Sequence, residues 1–344
     1  MQAVLLPEHG DSDVLTLGEA PTPEPGPGEV RVAIRAAALN HLDIWVRRGW
    51  EGIRIEYPHI PGADGAGVID AVGDGVTSVR PGDRVVINPL LYPDPMDPQV
   101  LAGRDNLARR AAILGEDMHG TFAEYVVVPE RNVLLLPDHV PFSHAAAAAL
   151  VSLTAWHSLL TKGGLRAGES ILIVGAGGGV NTAAIQIAQL AGAEVYVVGS
   201  TAEKCHKAHE LGAHHTIDRS ETDWGRAIYQ MTEKRGVDVV VDNVGQATWP
   251  TSLRALTRGG RMLVVGNTSG YAVTLDSRYI FAKHLSIIGS TMGTQDDFRT
   301  MMSLLFDGRL QPVIDRTLRF DEAKQAHDAL EAGEVFGKIV MLPG

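Results

Sequence analysis

Four glycines crowd one short stretch of the chain. In ILIVGAGGGVNTAAIQIAQ (171–189) an apolar run leads straight into Gly175, Gly177, Gly178 and Gly179, and a helical pattern follows from Val180. Glycine lets a backbone turn tightly and approach a pyrophosphate closely. The first turn of a helix adds free N–H groups and the positive end of its dipole. A buried strand, a glycine turn and a helix, in that order, suit a dinucleotide. Asn181 stands where a third glycine of that fingerprint would let the helix pack closely on the strand.

The next strand should choose between two dinucleotides. A carboxylate at its end would hydrogen-bond the ribose hydroxyls of NAD. Here VYVV (195–198) runs into Gly199, Ser200 and Thr201, and no carboxylate comes before Glu203. Lys204 follows, and Arg219 lies after the third strand. Hydroxyls with cations suit a 2′-phosphate, so NADP(H) is expected over NAD(H). Asn243, Gly266 and Asn267 end later strands and are expected to line the same cofactor.

These residues need a scaffold, and the texture of the chain supplies one. Apolar runs recur at ILIV (171–174), VYVV (195–198), HTI (215–217), VDVVV (237–241), RMLVV (261–265) and LSIIG (285–289), with helical patterns between most of them. Fully apolar strands alternating with helices predict a parallel sheet covered on both faces, here six-stranded and doubly wound. Residues 1–140 read differently. Short β-branched runs such as EVRVAIRAAALN (29–40), GAGVIDAVG (65–73), GDRVVIN (82–88) and FAEYVVVP (122–129) are broken by Gly and Pro, which predicts a mostly antiparallel β domain. SHAAAAALVSLTAWHSLL (143–160) reads as a helix capped by Ser143. The tail from 295 is mixed and is expected to rejoin the first domain, giving 1–140 with 295–344 as one domain and 141–294 as the other.

Composition narrows the chemistry. With 41 Asp and Glu against 30 Lys and Arg the net charge is -11, which argues against nucleic acid or an anionic membrane as partner. A single cysteine, Cys205, cannot form a disulfide within the chain or a cysteine-cluster metal site. No run approaches the apolar length of a membrane span, and the opening residues lack a basic segment followed by an apolar one. A cytoplasmic location is expected.

Taken together, AALNHLDIWVRRG (37–49), PGADGAGVI (61–69), VRPGDRVV (79–86), GTFAEYVVVP (120–129), LTAWHSL (153–159), the glycine loop, VDVVVDNVG (237–245) and GKIV (337–340) resemble the medium-chain dehydrogenase/reductase superfamily. That family holds zinc alcohol dehydrogenases and zinc-free quinone oxidoreductases. The resemblance implies a GroES-like β domain, completed by the C-terminal tail, plus a Rossmann domain.

The resemblance also says where catalytic groups would stand. The zinc members hold their metal with Cys, His, an acidic residue and a second Cys. The matching positions here are Asn40, Ala63, Asp64 and Leu150, and the region of the structural zinc lobe (88–110) has no cysteine. Zinc needs three or four protein ligands, so neither zinc site is expected. The zinc-free members place an asparagine first and an acidic residue shortly after, which Asn40 and Asp43 match. Trp45 stands where many of them carry a tyrosine; an indole donates a hydrogen bond but cannot deliver a proton. Asn40 and then His41 are the candidate donors to a developing oxyanion, and Thr154 a contact to the nicotinamide or substrate.

The activity implied is metal-independent hydride transfer from NAD(P)H to a small carbonyl or quinone: a quinone, enone or aldehyde. Two alternatives stay open, an NAD-dependent alcohol dehydrogenase with an atypical metal site and a nucleotide-binding protein without turnover. The apolar last strand at the sheet edge predicts a homodimer or homotetramer.

Overall fold

Val30, Val32 and Ile34 alternate with Glu29, Arg31 and Ala33, a period of two that gives a strand one inward face. In the computed structural model, which describes residues 1–92 and 94–344, Glu29–Ala38 is strand β1 and those three apolar side chains are buried. The chain divides into two units, one of Met1–Leu150 with Thr294–Gly344 and one of Val151–Gly293.

β1 is the spine of the first unit. It runs into helix α1 (His41–Arg48) and is followed by strands β2 (Asp64–Val72), β3 (Arg84–Ile87), β4 (Tyr125–Pro129) and β5 (Val133–Leu135). β2 pairs antiparallel with β1 from Val72 opposite Val30 to Asp64 opposite Ala38. β4 pairs with the first half of β1, β3 with β2, and β5 with β3, all antiparallel. Helix α2 then spans Phe142–Trp156. Ser143 therefore lies inside its first turn and is not its cap; Pro141 precedes a helix that begins one residue before the expected hydroxyl.

The second unit is a regular alternation. Strands β6 (Ser170–Val174), β7 (Glu194–Gly199), β8 (His215–Asp218), β9 (Val237–Asp242), β10 (Leu256–Val264) and β11 (Ser286–Gly289) form one sheet in the order β8-β7-β6-β9-β10-β11. Every pair is parallel. Helix α3 (Gly179–Leu190) follows β6, and α4 (Ala202–Glu210) follows β7. All five residues of β6 are buried, as expected for a central strand covered on both faces. The strand order reverses from β6 to β9, and ligands of such sheets bind at the carboxyl ends of strands at that reversal.

The tail contributes α5 (Gln295–Phe306), β12 (Ile314–Arg319), α6 (Ala323–Glu331) and β13 (Lys338–Leu342). β13 pairs antiparallel with the end of β1 and parallel with β12, so the tail completes the sheet of the first unit. Its apolar core joins Val30, Val32 and Ile34 of β1 to Ile339 and Met341 of β13 and to Phe122.

Candidate active site

Three strand ends meet in the first unit. Ala38, the last residue of β1, faces Asp64 on one side and Val340 on the other. Continuing the antiparallel register two residues brings Lys338 beside Asn40. The result is a buried polar group: Asp64 is fully buried, Lys338 4% exposed and Asn40 6% exposed. Charges at that depth must be paired, and they are. Asp64 Oδ2 accepts from Lys338 Nζ at 3.0 Å and from Asn40 Nδ2 at 2.8 Å. Asp64 Oδ1 accepts the Leu150 backbone N–H at 2.7 Å. Lys338 Nζ also donates to Asn40 Oδ1. The second Asn40 Nδ2 hydrogen is directed at the Ala38 carbonyl, 3.3 Å away.

Asn40 caps α1, and Asp43 fixes it there. Asp43 is buried, with Oδ2 accepting the Asn40 N–H at 2.7 Å and Oδ1 the Gly62 N–H at 2.9 Å. Burial pushes its carboxyl up to about 7, against those two N–H groups and the Lys338 charge. Gly62 holds φ +105°, and a Cβ there would lie 2.6 Å from the Phe122 ring. His41, also in the first turn of α1, has its pKa lowered by burial and then by Lys338. Trp45 follows one turn on, its ring 6.5 Å from that of His41, and is half-buried.

A tetrahedral zinc does not fit this group. Ala63 and Leu150 offer no side-chain donor, and both Asp64 oxygens already accept hydrogen bonds. The Lys338 ammonium lies against the two polar residues that remain. Among the described residues no cluster of three or more His, Cys, Asp or Glu could hold a metal ion.

Lys338 is the residue that sequence reasoning passed over. GKIV was read as a closing strand, although a lysine directly before the buried run IVML is an oddity worth weighing. Its partners lie 298 and 274 residues away in the chain, so no local pattern could reveal them.

The second unit builds its site from backbone. Gly175, after β6, has φ +102°, and a Cβ there would meet Asn181 Nδ2 at 2.8 Å. Gly177 lies in the turn, Gly178 is the N-cap of α3, and Gly179 and Val180 open the helix without a side-chain cap. Asn181, in place of a third glycine, turns its amide back into the loop. It donates to the Val174 and Gly175 carbonyls at 3.2 and 2.7 Å and accepts from Asn243 Nδ2 at 2.9 Å. The asparagine thus ties the β6 loop to the β9 loop at the point where strand order reverses. An uncapped helix start behind a left-handed glycine at that place fits a dinucleotide pyrophosphate.

The other expected cofactor residues surround neighbouring strand ends. Thr201 caps α4 by accepting the Lys204 N–H at 3.2 Å, next to Ser200. The Arg219 N–H donates to the Gly199 carbonyl at 3.0 Å, which sets Arg219 beside the end of β7. Two nearby acids are engaged elsewhere: Asp218 by Ser220 and Glu203 by Lys207. A Cβ on Gly266 would approach the Asn243 carbonyl at 3.1 Å, and the exposed Asn267 follows. Buried Asp242 holds the Asn243 loop by accepting from Val244, Gly245, Thr248 and Ser252. Thr154, on α2, is buried with no partner for its hydroxyl, so it does not bond back to its own helix.

Comparison with known proteins agrees with both halves of this picture. Residues 26–138 match the alcohol dehydrogenase GroES-like domain and residues 179–307 the zinc-binding dehydrogenase domain. A crystal structure of an NAD-dependent alcohol dehydrogenase superposes with a TM-score of 0.96 at 44% identity, covering 100% of both chains. The NAD-dependent alcohol dehydrogenase of Saccharolobus solfataricus is 31% identical over 100% of both chains. The quinone oxidoreductase of Homo sapiens is 28% identical over 99% of this chain and 98% of its own. With a glycine loop on a doubly wound sheet, a β unit closed by the tail, and these likenesses over its full length, the chain belongs to the medium-chain dehydrogenase/reductase superfamily and is an NAD(P)-dependent oxidoreductase of the alcohol dehydrogenase and quinone oxidoreductase type.

Proposed function

We propose that the enzyme reduces a quinone, enone or aldehyde with NADPH in preference to NADH, and that no metal takes part at the reacting oxygen. The observation that carries this reading is the buried Asn40–Asp64–Lys338 group, which puts a paired ammonium at positions from which the zinc members of the superfamily hold their metal. When bound, the dinucleotide supplies the hydride. Gly175, Gly177, Gly178, Gly179 and Val180 hold its pyrophosphate, while Asn243, Gly266 and Asn267 line its path. Ser200, Thr201, Lys204 and Arg219 receive the 2′-phosphate; hydroxyls and cations at the end of β7 support that choice.

On the acceptor side, the chain has to stabilise charge that develops on a carbonyl oxygen. Asn40 orients its neighbours, because its amide donors are directed at Asp64 and Ala38. His41, kept neutral by burial, retains one ring N–H as donor. Asp43 positions Asn40 and Gly62 through their backbones. Trp45 shapes the pocket, and the unpartnered Thr154 hydroxyl meets the nicotinamide or substrate. Conjugated acceptors spread the oxyanion charge and need less help than simple alcohols do. The NAD-dependent alcohol dehydrogenases among the relatives favour the converse reaction, alcohol oxidation with NAD, as the second reading.

The two are separated by assaying chelator-treated protein of known metal content on quinones, enones, aldehydes and primary alcohols with each nucleotide. Reduction of a quinone or enone by metal-free protein is expected. Stoichiometric zinc, or alcohol oxidation faster than any carbonyl reduction, would overturn the proposal.

We place the enzyme in the cytoplasm, in keeping with its single buried cysteine; no helix among the described residues is long and apolar enough to cross a membrane. The β11 edge, with Ile287 38% exposed and Phe281 nearby 69% exposed, supports self-association into a homodimer or homotetramer. A monomer on a sizing column at micromolar concentration would contradict that.

A further inference from the structure

We propose that Lys338 is the enzyme's built-in cation: its ammonium, held by Asn40 and Asp64, donates to the substrate's carbonyl oxygen and stabilises the charge that forms there on hydride transfer. This inference rests on the reading of carbonyl reduction given above.

An ammonium has three N–H donors. Two go to Asn40 Oδ1 and Asp64 Oδ2, which leaves one. Its polar neighbours are engaged with one another: Asn40 directs its amide hydrogens at Asp64 and Ala38, and Asp43 accepts the backbone N–H groups of Asn40 and Gly62. Asp64 in turn is anchored by the Leu150 N–H and, through its own carbonyl, by Thr121 Oγ1 at 2.7 Å. The ammonium is therefore held by groups that are themselves fixed, which is the preorganisation that makes an electrostatic contact effective in a dry site.

The placement also has a chemical logic. Lys338 lies against Asn40 and Asp64, which match two positions from which the zinc members of the superfamily hold their metal. A fixed positive charge supplies there the polarisation that a Lewis acid would give, without a ligand set the chain lacks. When bound, the reduced dinucleotide would supply a hydride to the carbonyl carbon, or to the β carbon of an enone, and with it the two electrons of the reduction. A C–H bond would form as the C=O π pair moved onto oxygen (through the conjugated double bond in the enone). The oxyanion takes a proton from Lys338, and solvent returns one to the amine.

The test uses the full-length protein with the acceptor on which the parent is most active. Lys338→Met should lower kcat about 100-fold, the size of effect seen when one oxyanion donor is removed, with NADPH affinity by fluorescence titration changed less than threefold. Lys338→Arg should recover at least a tenth of the lost rate. Cys205 is the only cysteine, so a Cys205→Ser/Lys338→Cys protein alkylated with 2-bromoethylamine carries a single lysine mimic; its kcat should rise at least tenfold on alkylation. If Lys338→Met misfolds, Lys338→Met/Asp64→Asn removes both charges together and is read in the same way. A Met variant with kcat within threefold of the parent overturns the role of Lys338. So does a loss confined to NADPH affinity, which would make it a cofactor ligand. Failure of the parent itself to reduce any quinone, enone or aldehyde instead overturns the reading of carbonyl reduction.

Discussion

The candidate nucleotide half, in the second unit, and the candidate acceptor half, in the first, are built by opposite means. The nucleotide half is backbone: a glycine at φ +102°, a helix start without a side-chain cap, and an asparagine that ties two loops. It is written in one run of nineteen residues, 171–189. The acceptor half is side chain: a lysine, an aspartate and an asparagine from three strand ends, bonded to one another. Backbone sites tolerate side-chain change and fail when a turn is strained. Side-chain sites made of buried charge fail when one partner goes.

The largest effect should come from removing one partner of the buried pair. Asp64→Ala leaves the Lys338 ammonium buried with only Asn40 to accept from it. Breaking such a pair costs about 3–5 kcal/mol of stability, read by urea unfolding. Lys338→Met/Asp64→Asn should cost less than Asp64→Ala alone, because no uncompensated charge remains. If Asp64→Ala lost under 1 kcal/mol, the acceptor half would not rest on paired charge. On the nucleotide half, Gly175→Val forces a β-branched residue into the left-handed region at a strain of about 1–3 kcal/mol and crowds Asn181. NADPH affinity should fall roughly 100-fold, a loss near 3 kcal/mol, while Gly178→Ala, with nothing closer than 3.9 Å to its Cβ, should fall far less.

That contrast also explains what could be read without coordinates. The six strands of the second unit came through because most contain a short apolar run and they recur on a regular spacing, and the glycine loop because its physics is local. Asn181 could be placed but not understood: its partners Val174 and Gly175 are adjacent, yet Asn243 is reached only through the sheet. Asn40 and Asp64 were found through family resemblance, and their meaning depended on Lys338. Only the pairing of β1 with β13 brings that residue to them, and a register is invisible in composition or periodicity. Ser143 failed as a cap for a smaller reason, since the helix starts one residue earlier, behind Pro141.

Acidity should separate two buried groups of the first unit by sign. His327, on α6, is fully buried with neither ring nitrogen paired, and burial with the nearby Arg47 charge lowers its pKa to about 3. Folded, it stays neutral while the unfolded chain protonates near 6.5, so its contribution is present above pH 6.5 and is lost as pH falls. Asp43 is the reverse. With its folded pKa up at about 7, it is protonated in the folded state while the unfolded carboxyl ionises near 4. Its contribution is present at low pH and is lost as pH rises through 7. The stability change from pH 7 to pH 5 should therefore become more favourable by about 2 kcal/mol in His327→Leu and less favourable by about 2 kcal/mol in Asp43→Asn, each relative to the parent. Urea unfolding at the two pH values measures both. Shifts of the same sign would mean that folding moves one of the two pKa values in the opposite direction, and no shift that the group carries no proton difference on folding.

The smallest effect tests the one part of the nucleotide half that does depend on side-chain charge. Lys204 and Arg219 flank Ser200 and Thr201 at the end of β7, and Arg219 is exposed, so solvent screens what it contributes. Replacing either by Ala should weaken NADPH by about fivefold, close to 1 kcal/mol, and leave NADH affinity unchanged. The measure is the ratio of the two affinities within each variant, since a general disturbance of the loop would lower both together. The ratio should move further at low ionic strength than at 0.5 M salt. Equal losses for NADPH and NADH would remove charge from the account of cofactor choice. The nucleotide half would then be a backbone site throughout, and the contrast with the Lys338 cluster would be complete.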